Sequence, residues 1–200
     1  MEILHNAIQV EEKRKYNISG TGILCLGRLG KRKGTFDLLE AVAGIDKVLP
    51  EKVQLWLCGD GDLDEVREKA TELGVINRVT YLGWIKGKSR EKCMSEALIH
   101  VLPSYKEVLP MSILETMAWG IPNISTRIAS IPEAIEDGVT GFLIEPGDVK
   151  ALQEKILILL GEVRLREKMS KKGYEKVQKE FSLRECVARL EKIYRGLIGV

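Results

Sequence analysis

The amino-acid sequence predicts an α/β fold with an open parallel sheet of about six strands, helices on both faces and a helical C-terminal tail. Short apolar runs alternate with amphipathic stretches of helical length, as expected when strands and helices alternate along a chain. The apolar runs lack strict polar alternation, and strands of that kind are usually covered on both faces, as in parallel sheets. Predicted strands occupy residues 23–26, 53–58, 79–82, 98–102, 123–126 and 141–144.

The stretches between the predicted strands are long enough to form crossover helices. A strand, a helix and a following parallel strand form a right-handed crossover in nearly all proteins. Each helix is therefore expected to return the chain to the same parallel sheet. The helices are predicted at residues 35–48, 63–73, 88–96, 111–119 and 131–136.

The last quarter of the chain contains only helical patterns. Helices are predicted at residues 148–160, capped by Asp148, and at residues 163–179. Ser182 and Glu185 form a capping box that opens a last helix. Apolar residues recur at helical spacing in this helix and form one stripe that requires a cover. The stripe consists of Leu183, Val187, Leu190, Tyr194 and Leu197.

The overall charge excludes a strongly basic nucleic-acid-binding protein. The 200 residues include 31 Lys and Arg against 29 Asp and Glu, a net charge of +2. No apolar run reaches the roughly 18 residues needed to cross a bilayer, and the N-terminus does not resemble a signal peptide. We therefore expect a cytoplasmic protein without a membrane span and without nucleic-acid partners. Four cysteines without metal-ligand spacing are interpreted as buried thiols: Cys25, Cys58, Cys93 and Cys186.

The first unusual loop follows the first predicted strand. Its sequence, GRLGKRKG at residues 27–34, combines glycines with Arg28 and Lys33. Ligands of open parallel sheets bind beyond the carboxyl ends of the strands, where such loops converge. Arginine offers a fork of N–H donors and lysine a mobile point charge, so this loop is a candidate diphosphate site. The structural alternative, a solvated basic turn, is equally consistent with the loop taken alone.

The second unusual loop carries two carboxylates eight residues apart. It follows the strand predicted at residues 98–102 and contains Glu107, while Glu115 lies in the first turns of the next helix. The N–H groups at a helix N-terminus favour a phosphate, and a carboxylate accepts hydrogen bonds from vicinal hydroxyls. Glu115 could then hold a ribose and Glu107 could face a sugar. Alternatively, Glu115 only complements the helix dipole, an effect of about 0.3 to 1 kcal/mol.

Other candidate residues have simpler structural explanations. Glu133 follows Pro132 at a predicted helix start, and a proline followed by an acid is common in a first turn. His100 lies in an apolar strand, where a histidine bonded to a neighbour is expected. Large aromatic residues are interpreted first as packing residues. This interpretation applies to Trp56, Trp84 and Trp119.

Taken in order, several segments resemble the C-terminal domain of family 4 (group 1) glycosyltransferases, which have the GT-B fold. The ordered set covers roughly residues 20–196 and is specific, although each segment is short. The resemblance implies one of the two Rossmann-like domains of such an enzyme, the one that binds the sugar donor. The segments are GRL at 27–29, KG at 33–34, CGDG at 58–61, VTYLG at 79–83, the E-x7-E pair at 107–115, IPE at 131–133 and DG-x-x-GF at 137–142.

The resemblance also implies roles for individual residues. Arg28 and Lys33 would bind the donor diphosphate, Glu107 would lie near the transferred sugar, and Glu115 would bind the ribose. Backbone N–H groups would add phosphate contacts, and the turn after Gly83 would border the base. The family retains anomeric configuration and needs no metal, so neither a metal ligand nor a further cofactor is implied. The other residues implied in donor binding are Gly27, Trp84, Leu109, Pro110, Met111 and Ser112.

The resemblance covers only one domain of a two-domain enzyme. Residues 1–20 are predicted to be a linker or N-terminal remnant, residues 21–180 the nucleotide-sugar-binding domain, and residues 181–200 a helix that would pack on a missing N-terminal domain. We expect the donor half of a hexosyltransferase-type enzyme, inactive by itself, with UDP favoured over GDP or ADP. A sugar, lipid-linked or other acceptor would bind to the N-terminal domain, and the full protein could lie peripheral to a membrane.

The chain departs from the family pattern at several positions, and the change at Val108 leaves a second interpretation open. Val108 stands where the family usually has a glycine after the first acid, and Ala129 with Ser130 replaces a common glycine pair. The altered backbone freedom affects the approach to the sugar. The alternative interpretation is a non-catalytic module that binds nucleotide-sugars.

Overall fold

A computed structural model of the chain describes residues 5–10 and 16–198. The strands are β1 (Gly22–Leu26), β2 (Gln54–Cys58), β3 (Val79–Gly83), β4 (Ala97–Leu102), β5 (Asn123–Thr126) and β6 (Gly141–Ile144). They form one sheet in the order β3-β2-β1-β4-β5-β6, and all neighbouring strands are parallel. The predicted six-stranded, Rossmann-like parallel sheet is confirmed.

Helices connect successive strands and cover both faces of the sheet. Right-handed crossovers carry the first two helices over one face and the next two over the other, because the strand order reverses direction after β3. The sixth helix packs beside the first, and the seventh beside the fourth. Within the described residues the helices are α1 (Thr35–Ile45), α2 (Leu63–Glu72), α3 (Gly87–Glu96), α4 (Met111–Ala118), α5 (Ile131–Ala134), α6 (Val149–Gly161), α7 (Val163–Glu180) and α8 (Leu183–Ile198).

The central strand β1 is buried along its whole length and divides the core into two layers. Ile23 and Cys25 point into the larger cluster of buried side chains, which includes residues of α1, α2 and α6. Leu24 and Leu26 point into a smaller cluster that contains Cys93 of α3. Burial of every position explains why the strand has no polar alternation in the sequence.

Two predicted helices are shorter than expected. The predicted helix at residues 35–48 ends as an α-helix at Ile45 and tightens into a 3-10 turn at Asp46–Val48. The predicted helix at residues 131–136 is the single turn α5, because Ile135 is already extended and completely buried. In both places a buried apolar residue ends the helical pattern, so tertiary packing overrides local preference.

The C-terminal helices begin as the sequence predicts. The Asp148 side chain accepts a hydrogen bond from the Ala151 N–H at 2.9 Å and caps α6. The Glu185 N–H donates to Ser182 Oγ at 3.3 Å, which is the Ser182 half of the predicted capping box. Ile8 pairs with Ser182 in an isolated parallel bridge, so residues 5–10 run beside the start of α8. The predicted linker, residues 1–20, and the helix at 181–200 lie partly outside the described residues.

Three of the four cysteine thiols are buried as predicted, and one is not. Cys25, Cys58 and Cys93 are buried, and burial raises the pKa of the Cys25 thiol to about 12. Cys186 is only half-buried, which corrects the expectation of a buried thiol there. It lies on α8, one face of which is open to solvent. Across residues 5–10 and 16–198, no helix combines the length and apolar character that crossing a membrane requires.

Candidate functional site

The candidate site lies where β1 and β4 are neighbours in the sheet but not in the chain. The connections from these two strands leave toward opposite faces, which opens a crevice at the carboxyl ends of the strands. A cleft of about 420 Å³ occupies this crevice. Its lining residues come from the ends of β1 and β2, the turn at residues 27–34, the loops after β3 and β4, and helices α3 and α4: Leu26, Gly27, Lys33, Cys58, Gly59, Trp84, Ile85, Arg90, Glu107, Pro110, Met111, Ser112 and Glu115.

The basic turn at residues 27–34 is packed tightly against the loop that follows β4. Gly34 has φ +68, and a Cβ atom at this position would lie 2.0 Å from the Pro103 carbonyl oxygen. The Tyr105 N–H donates to the Arg32 carbonyl oxygen at 2.9 Å. Only glycine fits the close approach at position 34, so the residue brings Lys33 next to the loop that carries Glu107.

Lys33 and Glu107 both line the cleft and form an ion pair there. Lys33 Nζ donates to Glu107 Oε1, and Ser104 Oγ donates to the same oxygen at 3.0 Å. The two charged side chains are 14% and 9% exposed. Mutual pairing and the serine hydroxyl offset the unfavourable loss of water around both charges. The cationic turn and the first acid are therefore partners in this state of the protein.

Helix α4 points its N-terminus at the cleft. It begins at Met111 after Pro110, and within the described residues no side chain caps it. The N–H groups in the first turn of a helix have no intrahelical acceptors, and together they carry about half a positive charge. Because Met111 and Ser112 line the cleft, an anion there meets both the N–H donors and the helix dipole.

A second ion pair also lines the cleft. Arg90 of α3 donates through Nη2 to Glu115 Oε2 of α4. The side chains are 33% and 36% exposed, so solvent reaches both. Arg90 is not among the residues predicted from the sequence, because it lies in a charged, amphipathic helix with no motif around it. A cation early in the helix that follows the β3 loop was the available signal.

Most of the predicted site residues line the cleft, but two do not. Arg28 is exposed and absent from the lining, and Leu109 is 6% exposed and belongs to the hydrophobic core. Trp84 is 66% exposed and lines the cleft, which corrects its interpretation as a packing residue. The lining residues predicted from the sequence are Gly27, Lys33, Trp84, Glu107, Pro110, Met111, Ser112 and Glu115.

A buried polar network supports α4 directly beside Glu115. Thr116 Oγ1 and the ring nitrogen Nδ1 of His100 contact Asn123 Oδ1 at 2.9 and 2.6 Å. Burial lowers the pKa of His100 to about 4, so the ring is neutral at neutral pH. The predicted neighbour bond of His100 is present on Nδ1, whereas its buried Nε2 has no partner among the described residues.

The cleft therefore combines fixed cations, carboxylates and a helix N-terminus on one rim. Cations and N–H groups suit a phosphate, and carboxylates suit the hydroxyls of a sugar. A ligand that carries both kinds of group would match this set of side chains. Nowhere in residues 5–10 and 16–198 are three His, Cys, Asp or Glu side chains grouped as metal ligands would be.

Comparison with known proteins identifies the family of the chain. The family described as glycosyl transferases group 1 matches residues 9–176. The chain is 31% identical over 189 residues to N-acetyl-alpha-D-glucosaminyl L-malate synthase of Bacillus anthracis, a match that covers 93% of this chain and 49% of that protein. The chain thus spans about half the length of the curated relatives it matches.

Solved structures of similar proteins share the fold. Sucrose-phosphate synthase from Thermosynechococcus elongatus matches with a TM-score of 0.85 and 25% identity, over 99% of this chain and 53% of that one. Anabaena HepE, solved in complex with UDP and glucose, matches with a TM-score of 0.78 and 23% identity, over 91% of this chain and 49% of that one. Since the family match extends over most of the chain, the protein belongs to the group 1 glycosyltransferases.

Proposed function

We propose that this chain is the nucleotide-sugar-binding half of a retaining glycosyltransferase. The observation that carries the proposal is the cleft at the β1–β4 junction, where Lys33, Glu107, Glu115 and the N-terminus of α4 meet. The ligand would be a nucleoside diphosphate sugar, with UDP as the favoured carrier. The match to a protein solved with UDP and glucose supports this choice of ligand class.

The diphosphate would bind between Lys33 and the N-terminus of α4. Lys33 is already in the cleft, and the N–H groups of Met111 and Ser112 belong to the uncapped first turn. A phosphate oxygen offers Lys33 a second anionic partner besides Glu107. Arg28 leaves the same turn but is exposed, so its guanidinium would have to fold over the rim to reach the phosphates.

The sugars would bind to the two carboxylates. Glu115 Oε2 is bound to Arg90, which leaves its other oxygen to accept from the vicinal hydroxyls of a ribose. Glu107 lies beside Lys33 at the diphosphate end, where the transferred sugar is attached. Glu107 would therefore contact the transferred sugar and Glu115 the ribose, and the diphosphate would lie between the two rings.

The proposed chemistry depends on charge that develops on the leaving group. When the bond between the anomeric carbon and the phosphate oxygen breaks, the electron pair stays with the diphosphate. The acceptor oxygen bonds to the anomeric carbon, and its proton passes to the leaving diphosphate. Lys33 and the α4 N-terminus are held in place before the reaction, so they stabilise the transition state more than the ground state. Metal independence is part of the proposal, because protein cations would neutralise this charge.

Donor binding can be tested by calorimetry with UDP, GDP and ADP. Lys33→Ala should weaken UDP binding about ten- to a hundredfold, the range expected for a hydrogen bond to a charged group. Glu115→Ala should also weaken it, because the ribose hydroxyls would lose a carboxylate acceptor. Lys47→Ala is the matched control, since Lys47 is an exposed cation on the 3-10 turn after α1. Absence of binding by the unmodified chain would refute the proposal.

Transfer requires a separate experiment. The chain alone should not transfer sugar at a measurable rate, and addition of an acceptor-binding domain from a group 1 relative should restore transfer. Lys33→Ala should then reduce kcat on the order of a hundredfold, as loss of a fixed oxyanion donor does. Rapid transfer by the isolated chain would contradict the half-enzyme proposal. Donor binding without transfer in the complemented protein would favour a binding module, the function suggested by the exposed Val108 beside Glu107.

A further inference from the structure

Two cysteine side chains meet in the wall of the cleft. Cys58 is the last residue of β2 and lines the cleft, whereas Cys93 lies on α3, and their Sγ atoms are 3.8 Å apart. Both belong to the smaller of the two clusters of buried side chains, while Cys25 points into the larger one. The proposed donor site assigns no role to either thiol of this pair.

Both thiols border a cavity, although the two residues are only 3% and 6% exposed. Cys58 lines the cleft of about 420 Å³, Cys93 lines a second cavity of about 330 Å³, and Ile85 lines both. A cavity of roughly 15 Å³ already admits a water molecule, so each of these cavities admits a reagent as small as hydrogen peroxide.

The two thiols differ in acidity, because each affects the other. The hydrogen bond to Cys93 and burial raise the pKa of Cys58, which keeps its proton and donates it to the Cys93 sulfur. The same hydrogen bond lowers the pKa of Cys93, and the positive charge of Arg90 acts in the same direction. The thiolate is the reactive form of cysteine, so Cys93 is the expected nucleophile and Cys58 the resolving cysteine.

We propose that Cys58 and Cys93 form an oxidation site, at which hydrogen peroxide converts the two thiols into a disulfide that weakens ligand binding in the cleft. In the first step the Cys93 sulfur attacks a peroxide oxygen, the O–O bond breaks, and water leaves with the proton that the thiol has lost. In the second step the Cys58 sulfur attacks the resulting sulfenic acid, the S–O bond breaks, and a second water leaves with the Cys58 proton. The two sulfur atoms are oxidised, and the peroxide is reduced to water.

The disulfide would connect the end of β2 to α3. The distance between the sulfur atoms would shorten from 3.8 Å to about 2.0 Å. Because β2 lies between β1 and β3 in the sheet, α3 is the element that would move. Arg90 lies one helical turn before Cys93 and pairs with Glu115 in the cleft, so it would move with the helix. The effect on ligand affinity rests on the proposed function, whereas formation of the disulfide does not.

Peptide mapping of the folded chain tests the disulfide directly. After treatment with hydrogen peroxide and blocking of the remaining thiols, the peptides that contain Cys58 and Cys93 should be cross-linked, about 2 Da lighter than their sum, and dithiothreitol should separate them. In Cys58→Ala, the sulfenic acid of Cys93 should instead react with dimedone. Cys186→Ser is the matched control and should leave the cross-link unchanged, because Cys186 is more exposed but lies on α8, outside both cavities. Absence of the cross-link from the unmodified chain would overturn the inference.

Calorimetry with UDP tests the effect on the cleft. Oxidation should weaken UDP binding by the unmodified chain about tenfold, and dithiothreitol should restore it. Peroxide should not change the UDP affinity of Cys93→Ala, which cannot form the disulfide and whose folding is checked by thermal unfolding. An equal loss in this variant would assign the effect to another residue, such as Met111 in the cleft lining, and would overturn the regulation, as would equal affinities of the oxidised and reduced chain.

The two measurements also separate this inference from the proposed function. If the reduced, unmodified chain did not bind UDP, the proposed function and the regulation of ligand affinity would both be wrong. Peptide mapping requires no ligand, so it would still show whether Cys58 and Cys93 form the disulfide.

Discussion

Gly34 holds the cationic turn against the loop that carries Glu107. Its φ of +68 lies in the left-handed region, and the space for a side chain is taken by the backbone of Pro103. Gly74 has a similar φ of +72, but no atom lies within 4 Å of a Cβ built there. An alanine at position 74 would therefore cause backbone strain alone, whereas an alanine at position 34 would cause strain and a steric clash.

Substitution of these glycines should have unequal effects. Gly74→Ala should lower the free energy of unfolding by about 1 kcal/mol, the strain of a left-handed alanine. Gly34→Ala should lower it by about 3 kcal/mol or more, because the new methyl group also displaces the β4–α4 loop. Urea unfolding of both variants provides the comparison. Equal losses would show that the contact with Pro103 is unimportant.

His100 makes the stability of the protein depend on pH. Burial lowers its folded pKa to about 4, while the unfolded chain titrates near the ordinary value of 6.5. Between these two values the unfolded state binds more protons, so the free energy of unfolding falls as the pH falls from 6.5 to 4. The contribution of neutral His100 is fully present above pH 6.5, and its loss across the window amounts to roughly 3 kcal/mol.

Replacement of His100 should flatten this dependence. His100→Gln removes the titrating ring but keeps a polar group beside Asn123, so its free energy of unfolding should change less between pH 7 and pH 4.5 than that of the unmodified chain. Denaturant unfolding at both pH values gives the difference. Because carboxylates titrate in both proteins, only the difference between them is informative. Parallel pH profiles would show that His100 does not contribute.

Among the secondary-structure elements, α6 depends on a single capping side chain. Asp148 accepts from the Ala151 N–H, and the helix it caps packs against α1 on one face of the sheet. Without the cap, the N–H groups in the first turn of α6 lose their side-chain acceptor and can donate only to water. The effect should appear in the stability of the helix itself and should not reach the cleft, because none of the cleft residues belongs to α6.

Asp148→Ala should therefore lower the free energy of unfolding by about 1 kcal/mol. Asp148→Asn should retain most of the stability, since asparagine caps helices equally well. Nucleotide affinity should be the same in both variants and in the unmodified chain. Chemical denaturation and calorimetry measure the two quantities. A change in nucleotide affinity would indicate that α6 communicates with the site.

At the scale of the whole molecule, α8 leaves an apolar stripe uncovered. The helix contacts α7, but its own stripe faces solvent in the chain as described. Leu190 is 37% exposed, Tyr194 60% and Leu197 77%. Contiguous apolar surface of this kind promotes association in water.

Charged residues on the stripe should make the chain more soluble without destabilising it. The double substitution Leu190→Lys and Leu197→Lys should reduce self-association, measured by sedimentation velocity, and should change the free energy of unfolding by less than about 0.5 kcal/mol. Two single variants on other faces of the same helix, Glu191→Lys and Lys192→Glu, are the controls. They change the net charge of the helix but leave the apolar stripe intact. A large loss of stability would show that the stripe is part of the core.

The order of strands and helices followed from local patterns in the chain. Buried strands such as β1 are apolar at nearly every position. The side chains of Asp148 and Ser182 cap the helices that follow them. Strands and helix starts can therefore be predicted from residues close together in the sequence. The same holds for the two loops with unusual chemistry, because parallel strands bring the loops at their carboxyl ends to one rim. The sequence therefore predicts that Glu107, Glu115 and Lys33 lie at one rim of the sheet.

The amino-acid sequence by itself determined the fold class, the site loops and the family. Only the tertiary structure decided that Arg90 pairs with Glu115, that Gly34 abuts Pro103, that Trp84 is exposed and that Arg28 is exposed outside the cleft lining. These facts depend on side-chain directions and on contacts between residues far apart in the chain. Periodicity and capping report on residues within a few positions of each other, so they contain no information about such contacts.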